Sequence, residues 1–284
     1  KARQYKKPNQ AWAIDLIESD DNFNDLYNFF PSVSGNIKVF RGDGGGGFVI
    51  NSKSGSAGNY AYDVSFFGDG SLWSGTFTDP VYCSGNITCN GVVFINKVYA
   101  MANTTFKSNA TKAITFSNGG YLIANGVDGY PVTFQGNSST WSGLIFSGSG
   151  AASSVLNYCN IKDVLTYGGS ALNFLSAQNP TIANCNISSN VNYGTNGIFL
   201  YNSGNPIIHD NNISANGGFG IRLNSTNGYI WLNTISSNPS GSVDCYTYAS
   251  PSFGASGFPA YNGNNIMSGG LYGIQVASYC SPLV

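Results

Sequence analysis

Charged side chains are scarce in this sequence. They make up 9% of the 284 residues, whereas an ordinary globular domain has about 25%. Glu occurs only at position 18, so coiled coils and helical bundles, which need many Ala, Glu, Lys, Leu and Arg residues, are excluded. The 12 Lys and Arg residues are balanced by 13 Asp and Glu and form no basic stripe, so we expect no nucleic-acid partner.

Several kinds of functional segment are also missing. There is no Cys-x-x-Cys pair and only one His, so we expect no metal and no cofactor. No uninterrupted apolar run is long enough for a bilayer, so we expect no membrane span in this chain. The sequence begins at Lys1 without Met or an apolar signal region, which fits either a removed leader or a piece of a longer polypeptide.

The abundant residues favour strands and tight turns. The chain has 37 Gly, 18 Tyr and 18 Phe and is rich in Asn and Ser, a composition that suits short strands separated by turns. Because 42% of the residues are hydrophobic and 14% are aromatic, intrinsic disorder is excluded.

Six cysteines in a chain with few Lys and Glu residues favour an oxidising, extracellular setting. We expect disulfides among Cys83, Cys89, Cys159, Cys185, Cys245 and Cys280. Cys83 and Cys89 bracket a short loop that suits a local bridge, and Cys245 and Cys280 flank a long loop that a bridge would hold in place.

Seven Asn-x-Ser/Thr sequons permit N-glycosylation. A chain this rich in Asn, Ser and Thr produces nearly as many by chance, so glycosylation stays an expectation. The sequons begin at Asn86, Asn103, Asn109, Asn137, Asn186, Asn212 and Asn224.

The second half of the chain is periodic. One motif ends in Ile161, Ile187, Ile213, Ile235 and Ile266. A second motif, of a small residue followed by apolar, variable and apolar residues, contains Leu144, Leu172, Ile198, Ile221, Val243 and Ile274. The last two intervals of both motifs are 22 and 31 residues, so the two motifs belong to one structural unit.

The length of this unit indicates its architecture. Alternation with period two, broken by Asn and Gly, predicts short strands. Three short strands in each unit describe one turn of a parallel β-helix, in which equivalent residues of successive turns stack about 4.8 Å apart.

The pattern Ile-x-x-Asn-x-Ile, as in Ile208 to Ile213, and the run from Leu122 to Leu156 resemble the parallel β-helix repeat of the right-handed, pectate-lyase-like superfamily. The resemblance covers about residues 90 to 280. It implies an all-β, single-stranded, right-handed parallel solenoid, and by itself it implies no particular function.

The resemblance also implies an internal stack of Asn side chains at one bend. The corresponding positions here are Cys159, Cys185, Asn211, Asn233 and Asn264. Cys159 and Cys185 would then lie on adjacent turns, either as a disulfide or as two stacked thiols.

We expect three regions along the chain. Residues 1–30 form a capping or junction segment, because the end of a β-helix exposes unpaired backbone that needs a cover. Residues 31–110 form a β-rich N-terminal region or early turns, and residues 111–284 form the regular β-helix.

The variable positions of the second motif are expected to point outward as one stripe of Asn173, Phe199, Arg222, Asp244 and Gln275. Arg222 and Asp244 fall on adjacent turns and can pair, either as a surface contact of small energy or as a catalytic arginine and carboxylate. His209 is followed by Asp210, but neighbours on a strand face opposite sides, so the two need not act together.

A long loop follows Val243. The segment from Val243 to Ile266 takes 23 residues, where the preceding turn takes 14. The loop contains Tyr246, Tyr248, Phe253, Phe258 and Tyr261. Aromatic loops that project from a solenoid make recognition surfaces, and the alternative is a loop that folds over the last turn as a cap.

These observations favour a non-enzymatic extracellular surface protein, such as a viral spike, tail fibre or adhesin subunit, that binds a glycan or a host surface receptor. We expect it on a virion or cell surface as a homo-oligomer, and as a trimer because known spikes are usually trimers. Its N-terminal segment would join other structural subunits. The binding residues are expected to be Tyr246, Tyr248, Phe253, Phe258, Tyr261, Phe199, Arg222 and Asp244.

The first alternative is a secreted polysaccharide lyase or glycoside hydrolase. Glycoside hydrolysis needs two neighbouring carboxylates, but Asp163, Asp210 and Asp244 fall at different repeat positions, so we predict no catalytic residue. The second alternative is a purely structural subunit of a filament or sheath.

Overall fold

The alternation of apolar and polar residues produces strands along the whole described chain. The computed structural model describes strands within residues 2–83, and then residues 85–165, 168–190, 193–254, 263–277 and 279–283. The first strands are β1 (Ala2–Tyr5), β2 (Ala13–Leu16), β3 (Ile37–Phe40), β4 (Gly47–Ser54), β5 (Ala61–Phe67), β6 (Ser71–Phe77), β7 (Val81–Cys83) and β8 (Asn86–Phe94).

Pairing changes along these first strands. β1 pairs antiparallel with β2, and β4 pairs antiparallel with β3 and β5. Parallel pairing of successive turns is established from β5 and β7, and from β6 and β8. Most of the segment 1–30, expected to be a cap or junction, lies outside the described residues.

Six regular turns follow, each with three strands. They are β9 (Lys97–Met101), β10 (Thr105–Ser108) and β11 (Ile114–Phe116); β12 (Tyr121–Asn125), β13 (Val132–Gly136) and β14 (Leu144–Ser147); β15 (Val155–Asn157), β16 (Cys159–Ile161) and β17 (Ser170–Leu175); β18 (Thr181–Ala183), β19 (Asn186–Ser188) and β20 (Asn196–Tyr201); β21 (Ile207–His209), β22 (Asn212–Ser214) and β23 (Phe219–Asn224); and β24 (Tyr229–Trp231), β25 (Thr234–Ser236) and β26 (Gly241–Tyr246). β27 (Ile266–Ser268) and β28 (Ile274–Val276) belong to a partial last turn, and a short 3-10 helix spans Ser149–Ser153.

Equivalent strands of successive turns stack into three parallel columns. The first strands of the turns form column A (β9, β12, β15, β18, β21 and β24), the second form column B (β10, β13, β16, β19, β22, β25 and β27), and the third form column C (β11, β14, β17, β20, β23, β26 and β28). We call their outward surfaces face A, face B and face C. Among the described residues, no helix has the length and apolar character needed to cross a membrane.

The stacking predicted from the second motif is confirmed. In column C the aligned residues are Leu144, Leu172, Ile198, Ile221, Val243 and Ile274. Their side chains point inward, and from Leu144 to Val243 each is fully buried. Each turn therefore covers the apolar side chains of the turn before it.

The first motif is confirmed except in the last turn. Ile187, Ile213 and Ile235 stack as predicted, but the residue aligned with Ile235 is Met267 and not Ile266. Ile266 is 63% exposed, because a shift of one residue along a strand moves a side chain to the opposite face.

Phenylalanine side chains form a continuous stack inside the early turns. Ring centroids lie 5.3 Å apart for Phe94 and Phe116, 4.9 Å for Phe116 and Phe146, and 4.4 Å for Phe146 and Phe174. The parallel register places each ring above its equivalent in the previous turn, so aromatic contact adds to the burial of apolar area.

The internal asparagine ladder lies at the bend between columns A and B. The side-chain amide of Asn211 donates to Asn233 Oδ1 at 2.9 Å, and that of Asn233 donates to Asn265 Oδ1 at 3.0 Å. The prediction that Asn264 belongs to this ladder is therefore wrong, because Asn265 occupies that position. Asn264 occupies the preceding bend residue, which adopts φ 39°, a left-handed conformation that Asn tolerates better than most residues.

A second asparagine ladder, which was not predicted, lies at the turn between columns B and C. The amide of Asn190 donates to Asn216 Oδ1 at 2.7 Å, and that of Asn216 donates to Asn238 Oδ1 at 3.0 Å. All three residues are buried, so the ladder supplies the partners that buried amides require.

Candidate functional site

Face C carries the predicted outward stripe. The parallel register aligns Asn173, Phe199, Arg222, Asp244 and Gln275 in one row across five turns. The next outward row contains Tyr201, Asn224 and Tyr246. Tyr201 was missed by the sequence analysis, although it follows Ile198 by the same three residues that separate Val243 from Tyr246.

An ion pair lies at the centre of this surface. Arg222 Nε is 3.0 Å from Asp244 Oδ2, and the Arg222 guanidinium lies 5.3 Å from the centroid of the Tyr246 ring. Asp244 is only 3% exposed. Burial raises the pKa of its carboxyl group, and the charge and hydrogen bond of Arg222 partly oppose this rise.

The aromatic residues predicted to bind ligand do not all share this surface. Tyr246 is 45% exposed on face C, whereas Tyr248 is 61% exposed and stacks on Tyr279 at 5.3 Å. Phe253 is wrong as a binding residue, because its side chain packs into the core with 8% exposure. Phe258 and Tyr261 lie outside the described residues.

His209 and Asp210 interact, although the alternation of side chains along a strand did not require it. His209 Nδ1 lies 2.6 Å from Asp210 Oδ2, and the imidazole stacks on Trp231 with ring centroids 4.6 Å apart. Asp210 adopts φ 54°, so it is a bend residue and not part of the alternating strand. The bend turns its carboxylate back towards the imidazole.

The predicted disulfides are not formed in the structure. All six residues, Cys83, Cys89, Cys159, Cys185, Cys245 and Cys280, are free thiols. In the asparagine ladder the backbone N–H of Cys159 donates to Cys185 Sγ at 3.4 Å, and the Cys185 thiol donates to the carbonyl oxygen of Ala183 at 3.0 Å. The two thiols thus take the place of ladder amides as hydrogen-bonding groups.

Burial also changes the acidity of the thiols. It raises the pKa of Cys89 and of Cys245 to about 12, because the thiolate would lose its hydration in the apolar interior. Thiolate is the reactive form, so these side chains are not poised for nucleophilic chemistry.

The described residues contain no group of three or more His, Cys, Asp and Glu side chains that could hold a metal ion. The carboxylate of Asp244 forms an ion pair with Arg222. The carboxylate of Asp210 lies in the bend between columns A and B, where it contacts His209. Face C thus offers an arginine and exposed tyrosine rings, and its described residues include no pair of free carboxylates.

The sequon asparagines lie at accessible positions. None of the seven is buried. Asn186 and Asn212 are exposed neighbours on face B, where the Asn212 amide donates to Asn186 Oδ1 at 3.3 Å. Glycosylation at these positions stays a prediction.

This arrangement defines the class of the protein as an all-β parallel solenoid of about six turns. Residues 90–284 match the family model described as right handed beta helix region, and the chain belongs to that family. Searches of curated proteins and of solved structures found no match. Membership of this family establishes that the solenoid winds in a right-handed sense.

Proposed function

We propose that this protein is a non-enzymatic extracellular surface protein that binds a glycan through face C. The observation that carries the proposal is the cluster of Phe199, Arg222, Tyr201 and Tyr246 on adjacent turns of one column. Exposed aromatic rings offer apolar surfaces for the faces of sugar rings, and the neighbouring arginine offers hydrogen-bond donors.

The charge on face C favours a neutral ligand. Arg222 is compensated by Asp244 at 3.0 Å, so the surface has no uncompensated charge at the centre of the cluster. Tyr201 and Tyr246 are each 45% exposed. The strands hold these rings on a rigid scaffold, which lowers the entropy lost on binding.

A role as a spike, tail fibre or adhesin subunit would place face C towards a host surface on a virion or cell. In this proposal the chain acts as a homo-oligomer, expected to be a trimer, and its N-terminal segment joins other structural subunits. The proposal is supported by the rod-like stacking of turns, which presents one face over many rungs.

A glycan array tests the proposal with Tyr246→Ala. We expect wild-type protein to bind at least one neutral glycan, and the variant to lose about tenfold in affinity, because the ring contributes both apolar area and stacking. Tyr130→Ala is the matched control, since Tyr130 is 61% exposed at the turn between β12 and β13. It should bind like wild type.

A depolymerisation assay on neutral and acidic polysaccharides separates the proposal from the enzymatic alternative. Turnover that is abolished by Arg222→Ala or Asp244→Ala would show a lyase or hydrolase. Self-assembly into filaments without binding to any glycan would instead support a purely structural subunit.

A further inference from the structure

The outward surface of column A, face A, is largely apolar. Its central row takes one residue from each of six successive turns, and the parallel register aligns these residues directly. In order along the solenoid they are Tyr99, Ile123, Val155, Thr181, Ile207 and Tyr229. All six are half-buried, so five apolar or aromatic side chains form a stripe that is partly open to solvent.

Face B shows that this stripe is not a consequence of the composition. The central row of column B is aligned in the same way over the same six turns. It consists of Thr105, Thr133, Asn160, Asn186, Asn212 and Thr234. One chain therefore places polar side chains on one outward face and apolar side chains on another. Parallel sheets with apolar outer faces are normally covered by a further layer.

The second outward row of face A adds apolar area at both ends. Met101, in the first regular turn, is 56% exposed. In the last two regular turns His209 stacks on Trp231 with ring centroids 4.6 Å apart. Asn125 and Asn157 lie between these ends, so their amides supply hydrogen-bonding groups near the middle of the face.

Face A carries little charge. On the described strands of column A, Lys97 and His209 are the only basic residues, and no residue has a carboxylate. Lys97 lies at one end, where its ammonium group is 5.9 Å from the centroid of the Tyr121 ring. A charged partner would lose hydration against this surface without gaining opposite charges. The surface therefore fits a partner that is apolar and uncharged.

The spacing of face A indicates which apolar partner fits best. Its central row recurs about every 4.8 Å, so the stripe from Tyr99 to Tyr229 is about 24 Å long. Face A of a second copy has the same spacing, the same length and the same scarcity of charge. The side chains of one copy can then interdigitate with those of the other along the whole stripe, as in packed sheets. A partner without this repeat would match the stripe at only a few turns.

We propose that face A packs against face A of a second copy of this chain, with the two sheets about 10 Å apart. Because each copy uses the whole face for one contact, the pairing produces a two-fold dimer. The inference rests on the homo-oligomer of the proposed function and names its contact surface, but it argues for two copies where known spikes favoured three. Face C belongs to another column and stays open to ligand.

Sedimentation velocity over a range of protein concentrations tests the proposal. We expect wild-type protein to dimerise and Ile207→Lys to weaken dimerisation at least about tenfold, because the contact would bury unpaired ammonium groups. Ile207→Val keeps an apolar side chain and should remain dimeric. Thr234→Lys is the matched control, since it places the same charge at an exposed outward position of face B, one turn further on. It should dimerise like wild type.

A second variant keeps the test decisive if Ile207→Lys does not fold. Met101 is 56% exposed, so the monomer should tolerate Met101→Lys, and its circular dichroism spectrum should match that of wild type. Because Met101 lies on the contact face, this variant should also weaken dimerisation.

Three outcomes would overturn the proposal: wild-type protein that stays monomeric up to about 0.1 mM, a trimer, or equal dimer affinities in Met101→Lys and Thr234→Lys. Binding through face C is measured separately, as the affinity of Ile207→Lys for a monovalent neutral glycan in solution, which should equal that of wild type. A dimer that binds no glycan contradicts only the face C proposal, and a monomer that binds glycan contradicts only the pairing of face A.

Discussion

The repeat in the sequence predicted the position of Asp244 correctly, but it did not predict that the side chain is buried. Its position opposite Arg222 follows from the 22-residue interval between Ile221 and Val243. The expectation of a surface ion pair is only half met, because Asp244 is 3% exposed while the Arg222 side chain is 38% exposed. A buried carboxylate loses more hydration than a surface one, so burial outweighs the arginine in its effect on the pKa.

The raised pKa of Asp244 predicts a pH-dependent contribution to stability. The folded state holds this proton more tightly than the unfolded state, so the contribution is fully present below pH 3.8 and is lost as the pH rises through the higher folded pKa. The free energy of unfolding of Asp244→Asn, relative to that of wild type, should therefore increase as the pH rises from about 3 to about 7. Urea denaturation at both pH values measures the difference.

Asp128→Asn is the control for this experiment, because Asp128 is an exposed turn residue. Its effect on the free energy of unfolding should be small at both pH values. If Asp244→Asn instead lost stability towards neutral pH, the pairing with Arg222 would outweigh the cost of burial.

The bends between strands are organised by side-chain ladders and not by the strands alone. Asn216 shows the arrangement: its amide donates to Asn238 Oδ1 at 3.0 Å and to the carbonyl oxygen of Ile187 at 3.1 Å, while its own Oδ1 accepts from Asn190. Each member satisfies the buried polar groups of its neighbours, so removal of one leaves several groups without partners.

Asn216→Ala should lower the free energy of unfolding by about 1–3 kcal/mol, because it leaves buried donors and acceptors unsatisfied. Asn212→Ala is a close control, since Asn212 lies four residues earlier and is exposed on face B. Its effect should stay within about 0.5 kcal/mol. Denaturant unfolding measures both free energies. Equal losses in the two variants would mean that the hydrogen bonds of the buried ladder do not contribute to stability.

At the scale of the whole molecule, the core is a set of columns in which each turn contacts only its neighbours. Inward residues in the middle are covered on both sides, whereas Ile274 and Val276 of the last turn remain partly exposed, with Val276 at 49%. Stability should therefore depend on where along the columns a side chain lies.

Ile198→Ala and Ile274→Ala provide a matched pair, because both residues occupy the same position of column C. Ile198 is fully buried, and its truncation should cost about 2–5 kcal/mol. Ile274→Ala should cost less than half as much, since its side chain is only half-buried. Equal changes in the free energy of unfolding would show that the last turn is covered as tightly as the middle.

Much of the fold follows from the sequence, because the inward positions of a parallel column must be apolar in every turn. The two motifs therefore predicted the register of columns B and C and the adjacency of Arg222 and Asp244. The last turn was less predictable. In the last turn Asn264 is the left-handed bend residue, as Asp210 is in an earlier turn. The ladder and inward positions therefore fall one residue later than the motif predicted, at Asn265 and Met267.

The sequence by itself determined the solenoid and the identity of the outward stripe, since both depend on spacing that is repeated along the chain. Only the tertiary structure decided the contact of His209 with Asp210, the burial of Phe253 and the free thiols. It also decided which polar side chains of column B become neighbours, such as Thr105, Thr133 and Asn160. These residues meet only because successive turns stack, and no local pattern in the sequence marks side chains that are brought together by the winding.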